Sequence, residues 1–146
     1  MRKPNLLFIA ICFVTSFVFG QNCPDPIKEK YLKVTSLEFA KEFENCPVTI
    51  EAEFLSTGYL SGYRKPRKLR KMFYFQCVKV GEEGKKQGFN NVISGQFFVI
   101  EKDKADLVFN LKKGDKLELT GTSFTQNYFG TKIAVFFKVS GIKKLN

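Results

Sequence analysis

Between Val48 and Phe54 apolar and polar residues alternate: Val48, Ile50, Ala52 and Phe54 are separated by Thr49, Glu51 and Glu53. A period of two predicts a strand with one face buried. Met72 to Val80, MFYFQCVKV, is apolar on both faces, with Phe73, Phe75 and Cys77 in one row and Met72, Tyr74, Val78 and Val80 in the other. A third strand is predicted over Gln96 to Lys102, with Phe97 and Phe98 on opposite faces. The spacing then turns helical from Asp103 to Leu111, where Ala105, Val108 and Phe109 share one side. Lys112, Lys113 and Gly114 close that segment as basic last-turn residues and a terminal glycine do. Strands four and five are predicted at Asp115 to Thr122 and Thr131 to Val139. The intervening loops are Ser56 to Lys71, Gly81 to Ser94 and Ser123 to Gly130.

Upstream of the strands, residues 25–45 read as helical. Asp25-Pro26 supplies a cap and a proline at the first helical position. Ile27, Tyr31 and Val34 recur at spacings of four and three, and Thr35 with Glu38 forms a capping-box pattern that predicts a second helix start. Leu37, Ala40 and Phe43 give that helix one apolar face, and Pro47 ends it.

The first 20 residues have another character. Arg2 and Lys3 precede a 14-residue run from Leu6 to Phe19 that is apolar except for Thr15 and Ser16. Val18 and Gly20 then stand at the −3 and −1 places of a small-residue cleavage site. The run falls short of the ~20 apolar residues that span a bilayer. It resembles a bacterial secretory signal, which implies a periplasmic or extracellular protein. Three regions are therefore expected: a signal at 1–20, a helical segment at 21–47, and a β domain at 48–146.

Export would leave Cys23, Cys46 and Cys77 in an oxidising compartment, where one pair is expected. Three pairings are open; Cys23 with Cys46 is favoured, because both flank the first helical segment and neither lies in a strand. Cys77, mid-strand, is expected to be a buried thiol.

The order of helix, three strands, short helix and two strands resembles the OB-fold, a five-stranded Greek-key β-barrel with a helix between strands three and four. The stretch LKKGDKLELTGT at 111–122, where the helix gives way to strand four, carries the resemblance most directly. It implies a mainly β fold over about 48–146. One group of small secreted OB-fold proteins has Asp-x-x-Gly after strand two; Val80-Gly81-Glu82-Glu83-Gly84 departs from that pattern, so no specific family is implied. A cystatin-like α+β sheet is the alternative order, opposed by the helical stretch at 103–111.

Charge adds one sharp feature. The chain carries 24 basic and 14 acidic residues, a net charge of +10, and no His. Absence of His removes Ser-His-Asp and Cys-His catalysis and imidazole metal sites. Six of the eight residues from Arg64 to Lys71 are cationic: Arg64, Lys65, Arg67, Lys68, Arg70 and Lys71. In an OB-fold this is the loop between strands one and two, which flanks the ligand face of strands two and three together with the loop joining strands four and five. Tyr59 and Tyr63 precede the run. Phe124, Tyr128 and Phe129 lie in the second loop, and Tyr74 is expected to point outward from strand two. Cations beside stackable rings suit an anionic ligand, whether nucleic acid, anionic glycan or lipid headgroup. The plainer alternative is a solvated, self-repelling loop.

No catalytic group is expected. Glu51 and Glu53 are the one carboxylate pair that could hold a metal, and their alternation with core residues places them toward solvent. No cofactor is implied. Two functions lead: a secreted, non-enzymatic module that binds an anionic polymer or surface, touching a membrane only peripherally, and an envelope accessory protein that binds a protein through strand edges and aromatic patches; a weak metal-dependent hydrolase using Glu51 and Glu53 ranks third.

Overall fold

A computed structural model describes residues 25–57, 67–81, 97–128 and 132–146. The expected signal at 1–20 lies outside them. Among the described residues there are six strands: β1 (Ile27–Glu29), β2 (Val48–Thr57), β3 (Met72–Val78), β4 (Phe97–Glu101), β5 (Lys116–Tyr128) and β6 (Lys132–Lys144). The α-helices among them are α1 (Tyr31–Thr35) and α2 (Asp106–Phe109).

Strand order is β1-β2-β3-β4-β6-β5, and a further pairing of β2 with β5 closes the last five into a barrel. Pairings around it are antiparallel except β4 with β6, which is parallel. This is a closed five-stranded mixed barrel of the OB type. Closure depends on β2 serving two neighbours. Its Val48–Glu53 half pairs with β5, while Glu53 to Thr57 pairs with β3, with an irregularity between Phe54 and Ser56. A bulge of this kind bends a strand sharply enough to change partners.

The barrel is filled with aromatic rings. Phe75, Phe98 and Phe137 are each at most 1% exposed, and the Phe98 ring lies 5.7 Å from Phe75 and 5.8 Å from Phe137. Val48, Ile50, Ala52, Leu117 and Leu119, the inward rows expected from alternation, are fully buried around them. Gly121 is required by close approach, since a Cβ there would meet the Lys138 carbonyl oxygen at 2.2 Å.

The short helices pack on this core. Tyr31 of α1 stacks on Phe98 at 5.8 Å and donates its hydroxyl to the Cys77 carbonyl at 2.8 Å. Val108 of α2 is buried in the same core, and the exposed Phe109 meets the Phe73 ring edge-on at 4.9 Å.

Three expectations are corrected. Ile27–Glu29 is not the first turn of a helix but a strand, parallel to Val48–Ile50. Within 25–45, helix is confined to the five residues of α1 and a 3-10 turn, Ala40–Phe43. Thr35 caps nothing; it ends α1 and donates its hydroxyl to the Tyr31 carbonyl. Finally, 123–128 is not loop. β5 continues to Tyr128, antiparallel to β6 as far as Lys132, and Ser123 is buried, donating to the Val34 carbonyl at 3.1 Å.

Cys77 is free and buried, and burial pushes its thiol up from the ordinary range. Cys46 is disulfide-bonded. Its expected partner, Cys23, lies outside the described residues.

Candidate anion site

Four of the six expected loop cations are described: Arg67, Lys68, Arg70 and Lys71. Arg64, Lys65, Tyr59, Tyr63 and Phe129 lie outside the described residues. The basic segment is not simply solvated. Arg67–Leu69 forms a 3-10 turn, continued by Arg70 donating its N–H to the Arg67 carbonyl at 3.3 Å. In that geometry residues three apart stack on one side. The sequence here is a triplet, Arg67-Lys68-Leu69 followed by Arg70-Lys71-Met72. The turn buries Leu69 and leaves Arg67, Lys68, Arg70 and Lys71 exposed, and Met72, half-buried, begins β3.

Leu69 is 0% exposed. It sits on the outer face of the barrel against a second, smaller core of Tyr74, Val99, Ala134 and Phe136, with Met72 and Phe124 at the margin. Tyr74 donates its hydroxyl to the Leu69 carbonyl at 3.1 Å. Burying one leucine contributes roughly 1.5–3 kcal/mol, and the hydrogen bond about 1 kcal/mol. Those terms offset the mutual repulsion of the cations that the turn gathers.

The same packing changes the role of the expected rings. Tyr74 is buried, so its face is not offered to a ligand. Phe124 stacks on Phe136, at 5.4 Å and 17°. Phe98 lies in the barrel core. Tyr128 ends β5, opposite Lys132. Leu69 thus covers the aromatic strand face that was expected to stack bases.

Beside the turn lies a cavity of about 490 Å³. Lys68, Arg70 and Lys71 line it from the basic segment, and Lys102 from the 3-10 turn Lys102–Lys104 after β4. Met72 adds an apolar patch; Glu101 and Asp103 form the acidic border. Glu101 is engaged by Lys138 at 2.7 Å, a contact that holds its carboxyl below the usual range. Lys102 owes its place to a backbone bond, its N–H donating to the Lys71 carbonyl at 3.2 Å. Sequence reasoning missed both Lys102 and the inward leucine. The triplet period was the signal for the leucine; Lys102 carried none, because it reaches the site only through strand pairing.

A second cavity, also about 490 Å³, lies between β1, α1 and the residues after β3. Its charges are mixed: Lys28, Lys30 and Lys79 with Glu29 and Glu51. Lys28 pairs with Glu51 at 2.6 Å, which raises the lysine pKa, and Glu29 pairs with Lys33 at 3.5 Å. The carboxylate pair considered for a metal is divided. Glu51 is held by Lys28, whereas Glu53 is buried and accepts the Gly81 N–H at 3.2 Å.

No family model and no curated protein matches this chain. Among solved structures, one assigned as an aspartyl-tRNA synthetase from Leishmania major Friedlin is similar over 87% of this chain, with 13% identity and a TM-score of 0.50. The chain spans 22% of that protein's length. An OBody, AM3L09, bound to hen egg-white lysozyme is similar over 72% of this chain and 86% of its own, at 17% identity and a TM-score of 0.40. At these identities the likeness to the synthetase concerns the fold alone: the chain has an OB-type barrel.

Proposed function

We propose that the protein is an exported, non-enzymatic binding module for an anionic ligand, held at the basic rim formed by Lys68, Arg70, Lys71 and Lys102. One observation carries this reading: cations from two separate chain segments line a single cavity. The backbone beneath Lys68, Arg70 and Lys71 is fixed by the 3-10 turn and the buried Leu69, so binding need not order that segment. Charge is the chief contribution to recognition in this reading, with Tyr74 buried and Phe124 stacked on Phe136. Export of the chain by residues 1–20 and a Cys23–Cys46 bridge belong to the same proposal.

The test is thermal unfolding with inorganic phosphate and sulfate at fixed ionic strength. Tm is expected to rise with either anion and to stop responding when Lys68, Arg70 and Lys71 are reversed to Glu. An equal response in the reversed variant contradicts the reading.

A protein partner is the second reading. It is favoured by β1, which ends the sheet with Ile27 43% exposed and Leu32 close by at 51%. Binding there would survive high salt and be lost in Ile27→Asp.

A further inference from the structure

We infer that the protein docks on an anionic lipid bilayer, with Phe109 and Leu107 of α2 entering the headgroup region and the lysines around them held against the lipid phosphates. The inference rests on the anion-binding reading above and names its ligand as a surface.

The first observation is an apolar pair left outside the core. Val108 is buried in the barrel core and Leu111 packs against it. Beside these anchors Phe109 is 60% exposed and Leu107 is 46% exposed. The segment is fixed by its backbone: the Val108 N–H donates to the Ala105 carbonyl at 2.8 Å, and the Gly114 N–H to the Phe54 carbonyl at 2.9 Å. Large apolar side chains exposed together within a polar surround mark an interaction surface.

The second observation is that this pair adjoins the basic rim. Phe109 meets Phe73, and Phe73 follows Met72, the apolar wall of the rim cavity. Lys102, a rim cation, opens the 3-10 turn that leads into α2. Lys102 and Lys104 precede the helix and Lys112 and Lys113 follow it, all four exposed. Glu101 and Asp115, the acids at the two ends of this segment, are each held at 2.7 Å by a lysine of β6, Lys138 and Lys144. Asp103 and Asp106 are set among the four lysines around α2 and the neighbouring Lys68 and Lys71. Arg70 is itself engaged, and the attraction does not depend on it.

The third observation is the company these residues keep. Phe and Leu ringed by Lys is the composition of a surface that lies in a bilayer interface, where the lysine stems rest on apolar material and the ammonium groups reach the phosphates. Protein–protein interfaces are instead depleted in lysine. A second copy of this chain would bring like charges together, since each carries +10. Near an anionic membrane each lysine contributes about five-fold in affinity.

The chain has no Trp, so Leu107→Trp installs a single indole that reports insertion. The protein is mixed with phosphatidylcholine vesicles, with and without phosphatidylglycerol, and followed by fluorescence and by sedimentation. The Leu107→Trp emission is expected to shift to the blue with phosphatidylglycerol vesicles only, and to stay in place with inorganic phosphate. Leu32→Trp, half exposed beside the β1 cavity, should not shift with either. Phe109→Ser and Leu107→Ser should each weaken sedimentation with these vesicles on the order of ten-fold, and leave the Tm response to phosphate intact. Lys112→Glu with Lys113→Glu, outside the rim cavity, should weaken it by at least about ten-fold. Sedimentation without the blue shift, an equal shift with phosphatidylcholine alone, or a shift that grows with protein concentration in the absence of lipid overturns the inference; the last assigns α2 to a second copy. No vesicle binding while phosphate still raises the Tm also overturns it and leaves the anion site standing. If neither vesicles nor phosphate act and the Lys68, Arg70 and Lys71 reversals change nothing, the anion site itself fails.

Discussion

Two cavities of about the same volume lie on this barrel, and they differ in the balance of their lining charges. The β1 cavity sets three lysines, Lys28, Lys30 and Lys79, against Glu29 and Glu51, and ties Lys28 to Glu51 within the lining. The basic rim sets four cations against Glu101 and Asp103, and Glu101 is held by Lys138, which is not among the lining residues. Volume therefore does not separate the two sites; the balance of charge does.

Reversal of charge exposes that contrast most strongly. Lys68→Glu, Arg70→Glu and Lys71→Glu together should lower affinity for phosphate by at least about 100-fold, since each charge-assisted contact contributes roughly 1.5–3 kcal/mol. Lys30→Glu with Lys79→Glu, at the β1 cavity, should leave phosphate binding within about two-fold, as distant screened charges do. Titration calorimetry of both variants checks the pair, and similar losses would erase the distinction between the cavities.

Apolar anchoring comes next. Leu69→Ala removes a fully buried side chain and should cost about 2–5 kcal/mol of stability. Leu32→Ala, beside the β1 cavity and half exposed, should fall within ±0.5 kcal/mol. Urea unfolding measures both. Tyr74→Phe should lose a smaller amount, about 1 kcal/mol, because it deletes the hydroxyl that the Leu69 carbonyl accepts.

The smallest effect concerns Glu101. Its pKa in the folded chain lies below the ordinary carboxylate value, chiefly through the hydrogen bond from Lys138. The stability this contributes is fully present above the unfolded pKa and is lost as pH falls through the lowered folded one. Lys138→Met should move the Glu101 titration back up and remove that acid-side loss. Both groups are more than a third exposed, so the change in stability is slight and NMR titration of the carboxyl is the sensitive measure.

Much of the barrel was legible along the chain because its strands are regular. Alternation at Val48–Phe54 and Leu117–Leu119 named the inward rows correctly, and Gly114 marked the turn before strand four. What escaped was set by partners distant in sequence. Ile27, Tyr31 and Val34 have helical spacing, yet Ile27–Glu29 is a strand because β2 offers it an edge. Ser123 to Tyr128 has the polar composition of a loop, and only the facing β6 residues hold it extended. Tyr74 reads as outward by its place in a ligand face, yet a strand apolar on both sides implies burial on both. The cover for that face was the single leucine in the basic run, whose meaning lay in a period of three.

Retention on a phosphate-ester matrix, compared between the wild-type protein and Leu69→Ala at a temperature where circular dichroism shows both folded, tests the anchored rim most directly. The two proteins have identical charge. The account predicts that the leucine variant elutes at clearly lower salt, because its cations are no longer held together. Coincident elution would mean that charge alone governs binding and that the buried anchor contributes nothing to it.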